Sequence, residues 1–540
     1  MPKGIVIGGG FGGIAAALRL RAKGYDVTLL DKQEKLGGRG YQYRRQTELG
    51  TFVHDAGPTV VTAKFLFDEL FDLFGKKCPD YINFVDIYPW YRIQFHDGTH
   101  FDYGGTIEQM ESQIRAISGD EDVEGFRRYL IHSKKIFDTG FTELGAVPFH
   151  QFGTMLKCAP DLIRLQNYKT VWGMAKKYIK SDKLRRVFSF QPLLVGGNPY
   201  NTTSIYSLIF YLEREWGVQF AMGGTGAIVR GLEKLMYEEG IEVRLAEEVS
   251  KIVTTHNAGV AGASGVTTGR GEYIKADVIV CNADAPMVYS KLLDAEHRKG
   301  VAARRIDSKI APQKYSMGLF VMYFGTKTTY PNVAHHTIVL GDSYKDLIFR
   351  LFDNVGLETK DLSVYLHRPT CTDKSMAPDG CESFYVLVPV PNNLPLKKAG
   401  PNVALKPDGS IDWSIEGPKF RDATVAYLER TCLPELSKTI VDDFYVTPDH
   451  FEKNLNTLHG SGFSIQPIFS QSAWFRFHNK APGIEGLYFV GAGTHPGAGM
   501  PGVLCSAKVL DHLIKPVMIG PAKVKERAGE MSMSANGVSK

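Results

Sequence analysis

The sequence predicts an α/β chain organised around a doubly wound, Rossmann-like sheet assembled from separated segments, with other domains inserted between them. Two observations carry this expectation. A short apolar strand runs into a glycine turn and a helix at the N-terminus, and apolar strands of the same character recur mid-chain and near residue 490. At 540 residues there is room for about three structural units. Hydrophobic residues make up 44% and charged residues 22%, which excludes disorder or collagen-like structure for the bulk.

The elements follow in order. Gly4-Ile5-Val6-Ile7 is apolar and glycine-bounded, as in a strand buried on both faces. Ile14, Ala17, Leu18 and Arg21 keep helical spacing, and Gly24 ends that helix. Asp26 to Leu30 read as the second strand. Residues 241–245 and 249–253 read as a pair of strands, and the glycine-rich residues 257–272 as a loose hairpin end. Residues 276–280 and 487–490 are further buried strands, the last leading into a helix near 502–514. Residues 521–540 lack periodicity and read as a disordered tail.

Gly8-Gly9-Gly10-Phe11-Gly12-Gly13 satisfies G-x-G-x-x-G after a strand and at a helix start, where bare N–H groups can meet a pyrophosphate. Asp31 ends the second strand, placed to accept from ribose hydroxyls, and Lys32 follows it. This favours a 2′-hydroxyl over a 2′-phosphate. Gly37-Gly38-Arg39 would bring backbone and a guanidinium against the pyrophosphate or a flavin ring. Gly491-Ala492-Gly493 and Gly499-Met500-Pro501-Gly502 flank a helix start whose positive end suits an electron-rich flavin.

These residues resemble the N-terminal signature of the FAD-dependent amine oxidase and carotenoid desaturase superfamily. More narrowly, the chain resembles the bacterial- and fungal-type phytoene desaturases. That likeness lies in Asp55-Ala56-Gly57-Pro58-Thr59-Val60, Leu194-Val195-Gly196-Gly197-Asn198-Pro199, Leu212-Glu213-Arg214-Glu215-Trp216-Gly217, Gly223-Gly224-Thr225-Gly226 and Gly491 to Gly502. The match runs from about residue 4 to 514, in the family's order.

The resemblance implies FAD as cofactor, with Val249 joining the glycines, Asp31, Lys32 and Arg39 around it. It also implies stepwise desaturation of phytoene toward lycopene or neurosporene, with oxygen or a quinone as electron acceptor. The implied division is an FAD domain of residues 1–85, 221–290 and 481–515, a mixed-sheet substrate domain of 86–145 and 291–480, a helical membrane-facing segment of 146–220, and a tail of 516–540. A carotenoid isomerase, an amine oxidase and a non-enzymatic prenyl-binding escort are the alternatives. Phe152-Gly153-Thr154 is less polar than the Arg-Asp of some members, so no acid–base role falls to it, and no general base is named.

Charge distribution supports a water-insoluble substrate separately. Residues 153–186 carry nine basic residues against two acidic ones, interleaved with apolar side chains, while the whole chain is only +5. Such a stretch suits an anionic membrane surface; an ordinary solvated face over a core is the plainer reading. No recognised nucleic-acid motif accompanies it. Scattered cysteines without a C-x-x-C pair, and no secretory signal, point to a reducing, cytoplasmic location with peripheral membrane contact.

No G-x-S-x-G elbow or Walker A sequence occurs. No metal is expected: His335 and His336 are adjacent, and neighbours on a strand point to opposite faces. Phe188, Phe190, Tyr206, Phe210, Tyr211, Trp474 and Phe475 could line a polyene tunnel, though aromatic residues more often fill a core.

Overall fold

The computed structural model describes residues 1–257, 260–294, 313–400 and 402–517. Its organising element is a five-stranded parallel sheet of Leu487–Phe489, Val278–Cys281, Lys3–Ile7, Asp26–Leu30 and Glu242–Arg244, in that spatial order. Ile5, Val6, Leu29, Ile279 and Leu487 are fully buried, as a sheet covered on both faces requires. Helix Phe11–Ala22, in which Ala15, Ala16 and Ala17 are fully buried, packs on the sheet and against helix Met500–Lys508. The N-terminal unit thus meets the last described segment. Val517 N–H donates to the Lys23 carbonyl at 2.8 Å, while residues 518–540, the rest of the expected tail, lie outside the described residues.

The second sheet has seven strands and mixed pairing. It joins Tyr91–Phe95 and His100–Tyr103 to five strands between Gly318 and Val446. Its only parallel pair among the described residues is Tyr91–Phe95 against His336–Leu340; the other pairs are antiparallel.

Two expectations are corrected. Strand Glu242–Arg244 does not pair with the strand that follows it; it joins Asp26–Leu30 in parallel at the edge of the five-stranded sheet. Val249–Asn257 instead pairs antiparallel with Val260–Thr268, in a separate sheet. That second strand occupies most of the stretch expected as a loose hairpin end. Its glycines stand in extended backbone, and at Gly265 a Cβ would lie 2.4 Å from the Ile274 carbonyl oxygen.

The basic stretch is three helices, Phe152–Arg164, Val171–Tyr178 and Asp182–Val187, with two different characters. In and just after the latter two the apolar residues Val171, Met174, Ile179, Leu184 and Val187 are buried in the interior, Lys176, Lys177 and Lys180 are exposed, and Lys183, Arg185 and Arg186 are half-buried. Helix Phe152–Arg164 buries no residue fully. Its Phe152, Leu156 and Ile163 are 50%, 59% and 67% exposed, beside Lys157 and Arg164.

Candidate functional site

One cavity of about 850 Å³ runs from the N-terminal glycine turn to the seven-stranded sheet and to helix Phe152–Arg164. This lies in the upper part of the range for ligand pockets. At one end it is walled by Gly8, Gly10, Phe11, Asp31, Lys32, Gly37, Gly38, Arg39 and Val249. Gly491, Ala492, Gly499, Met500, Pro501 and Gly502 line it from the C-terminal segment. Two of the expected site residues sit behind the wall. Gly13 is needed for packing, since a Cβ would lie 1.9 Å from the Gly8 carbonyl oxygen. Gly493 packs on Asp284, where a Cβ would lie 2.6 Å from Oδ1.

The donor set fits a dinucleotide. The helices Phe11–Ala22 and Met500–Lys508 begin at Gly10 and Gly499, and neither has a side-chain cap. Their first N–H groups therefore remain for a ligand, with the positive helix ends toward the cavity. Asp31 is buried, which pushes its carboxyl up; the N–H groups of Gly9 and Gln33, 2.6 Å and 2.7 Å away, oppose this. Lys32 does not point its ammonium at a ligand: Nζ donates to the Lys453 carbonyl and Asn456 Oδ1, both at 2.8 Å, tying the two sheet systems together. Gly37 bridges to Gly10, and Arg39 Nε finds no protein partner. Burial lowers Arg39 and raises Asp284, the nearby buried carboxylate that offsets its charge. Arg476, 1% exposed, braces the C-terminal loop by donating to the carbonyls of Thr494 and Ala492 at 3.0 Å and 2.5 Å.

The remainder of the cavity is mainly apolar. Leu193, Leu194, Leu208, Ile209, Leu319, Ile338 and Leu387 line it, and Met155 and Leu162 of helix Phe152–Arg164 complete the wall. Of the aromatic residues considered for a tunnel, Phe190 and Tyr206 line it. Phe188 and Phe210 are core, and Trp474 packs on Phe152 at 4.9 Å. His495 lines the cavity, and burial lowers it to about 3. His459 sits in a turn against Tyr315.

Sequence reasoning missed the polar groups of this wall. Glu213 lines the cavity and accepts from the hydroxyls of Tyr91 and Tyr103 at 2.8 Å and 2.9 Å; burial pushes it up to about 7. Thr59, Tyr365 and Tyr385 form a hydroxyl chain along the wall, and Tyr365 reaches His336. His335, His336 and His367 do converge, their ring nitrogens within 4.8 Å of one another. Strand alternation does not separate His335 from His336, because His335 lies in the bend before strand His336–Leu340. Alternation in Tyr365-Leu366-His367 was the available signal, since Tyr365 and His367 share one face of their strand.

Comparison with known proteins decides the family. Residues 11–508 match the model of the flavin containing amine oxidoreductases. The chain belongs to that family. Its cofactor is FAD.

This flavin amine oxidoreductase is 44% identical over 503 residues to a lycopene-forming phytoene desaturase of Pantoea ananas, covering 93% of this chain and 97% of the relative. It is 38% identical over 517 residues to a neurosporene-forming phytoene desaturase of Rhodobacter capsulatus, covering 95% and 94%. Among solved structures, an oxidoreductase from Methanosarcina mazei superposes with a TM-score of 0.62 at 13% identity, over 94% of this chain and all of the other. Putrescine oxidase superposes at 0.56 with 12% identity, over 94% and 96%. These structural likenesses concern the fold.

Proposed function

We propose that the protein is a phytoene desaturase that removes hydrogen pairs from a C40 polyene, toward lycopene or neurosporene. The observation that carries this reading is the continuity of the cavity: dinucleotide-type donors at one end, and one long apolar wall from there to the outer helix. A small amine needs little of that length. The names of the relatives agree with it.

In this reading Gly8, Gly10, Phe11, Asp31, Gly37, Gly38, Arg39, Val249, Gly491, Ala492, Gly499, Met500, Pro501 and Gly502 line the FAD site, Lys32 contributes its backbone and stem there, and Gly13 and Gly493 pack behind it. Bound FAD supplies the hydride acceptor. The protein's own contribution is to align the polyene, exclude water and receive a proton. Oxygen or a quinone is the acceptor proposed to reoxidise the flavin.

Substrate is proposed to enter from a membrane. Among the described residues no helix is long and apolar enough to cross one. Helix Phe152–Arg164 carries the surface that lies on it: Phe152, Leu156 and Ile163 outward, Met155 and Leu162 on the cavity side. Anaerobic addition of phytoene to the FAD-loaded protein tests the reading. It should bleach the flavin absorbance, whereas bleaching by small amines alone would exclude it.

A further inference from the structure

Taking two hydrogens from a C–C unit leaves one as hydride and one as a proton, and an apolar cavity offers few places for the second. We propose that Tyr365 and His336 form the proton acceptor of the desaturation, with the phenol touching the substrate and the imidazole taking the phenol's own proton. This rests on the desaturase reading given above.

Tyr365 is half-buried at the cavity wall, and its hydroxyl lies 2.6 Å from His336 Nδ1. It is also 2.9 Å from Thr59 Oγ1, which is 2.7 Å from the Tyr385 hydroxyl. Tyr385 donates to the Gly57 carbonyl at 3.1 Å, because a carbonyl can only accept. Thr59 can then donate to Tyr385, leaving the Tyr365 proton for His336. Gly57 packs so closely on Arg39 that a Cβ would lie 2.5 Å from the Arg39 carbonyl oxygen. The hydroxyl chain therefore abuts the Gly-Gly-Arg turn of the FAD site, where the hydride must also go.

His336 is built to accept rather than to hold charge. With the Tyr365 hydroxyl donating to Nδ1, the ring proton sits on Nε2, which is buried without a hydrogen-bond partner. The charged and titratable groups around the pair are few. His335 and His367 pack on His336, with His335 Nε2 3.1 Å from His367 Nε2. Tyr91 packs on it from the neighbouring strand. Arg368, ion-paired with Glu382, stands beside His335, and Asp55 acts on Tyr365. Burial keeps all three imidazoles uncharged. A proton arriving at His336 is thus unstable there, and because Nε2 has no partner to pass it on, it returns through the Tyr365 hydroxyl.

The step balances. The hydrogen of one allylic C–H bond leaves with that bond's electron pair as hydride to FAD, which is thereby reduced by two electrons. The neighbouring C–H proton goes to the Tyr365 oxygen, and that bond's electron pair becomes the new C=C. The phenol proton moves to His336 Nδ1; once product has left, Tyr365 gives its new proton to water in the cavity and takes its own back from His336, while oxygen or a quinone takes the electrons from FAD.

Tyr365→Phe removes the acceptor hydroxyl, and His336→Asn keeps a hydrogen-bonding group at Nδ1 but removes its basicity. In FAD-loaded protein each should slow phytoene-driven flavin reduction by roughly 100-fold or more, with flavin affinity and Tm unchanged. Deuterium on the carbon losing the proton should give a larger isotope effect in both variants than in wild type. In the apoprotein, nitrogen-15 spectra of labelled histidine should show one Nδ1 resonance that moves when Tyr365 becomes Phe. Rates within threefold of wild type in both variants, or no histidine resonance responding, overturn the proposal. Wild type failing to act on phytoene overturns the desaturase reading and this assignment with it, an outcome distinct from an active wild type with unimpaired variants.

Discussion

Asp31 Oδ2 accepts the backbone N–H of Gly9 at 2.6 Å, so the carboxylate that ends the second strand also shapes the glycine turn beside it. Asp31→Ala should weaken FAD binding both by removing a ribose acceptor and by loosening that turn. A hydrogen bond to a buried charged group contributes ~1.5–3 kcal/mol, which corresponds to roughly 10- to 150-fold in affinity. Titration of the apoprotein with FAD measures it; an unchanged affinity removes Asp31 from the site.

Two glycines of one motif should fail differently. At Gly10 a Cβ would meet only Asn282 Nδ2, at 3.0 Å, and otherwise project into the cavity. Gly10→Val should fold and purify colourless. At Gly13 the Gly8 carbonyl blocks any Cβ at 1.9 Å, so Gly13→Val should not yield folded protein. Far-UV circular dichroism and flavin stoichiometry separate the two, and a yellow Gly10→Val protein would contradict the assignment.

The parallel sheet and its glycine turn were legible because local signals and tertiary role coincide there: buried strands read as apolar runs, and the turn needs glycine. The pairing of residues 241–245 was not, since adjacency in sequence favoured a hairpin while the open edge of Asp26–Leu30 captured that strand. The basic stretch was half legible. Its charge is real, but only packing tells the exposed Leu156 and Ile163 from the buried Met174 and Leu184. Apart from the alternation that puts Tyr365 and His367 on one strand face, the polar wall of the cavity had no local signal, because Tyr91, Tyr103 and Glu213, or Thr59, Tyr365 and His336, meet only when distant strands and helices pack together.

Glu213, pushed up to about 7, gives a pH-dependent stability. From the ordinary carboxylate range up to pH 7 the folded protein keeps a proton that the unfolded chain has lost. This group's contribution is therefore greatest at low pH, declines as pH rises toward 7, and is constant above. Glu213→Gln has no proton to lose, so its Tm relative to wild type should rise between pH 5 and 7.5 and then level off. A Tm difference independent of pH would contradict the raised value.

Membrane contact should depend on both parts of the basic stretch. Replacing Phe152, Leu156 and Ile163 with Ser removes the exposed apolar face and should abolish sedimentation with anionic liposomes. Charge reversal at Lys176, Lys177 and Lys180 removes three attractions of ~1 kcal/mol each, so binding should fall by roughly 100-fold or more. FAD binding should not change in either, because none of these residues lines the FAD end of the cavity. Wild-type sedimentation of the first variant would mean that substrate enters elsewhere.

In the proposed reading one cavity of this chain serves as both dinucleotide site and polyene tunnel. Incubation of the FAD-loaded protein with phytoene in liposomes under air, followed by chromatography with absorbance detection, tests it most directly. Products of increasing conjugation that end at lycopene or neurosporene, and are absent without FAD, are expected. Recovery of phytoene unchanged, from protein shown to hold FAD and to bind the liposomes, would contradict it.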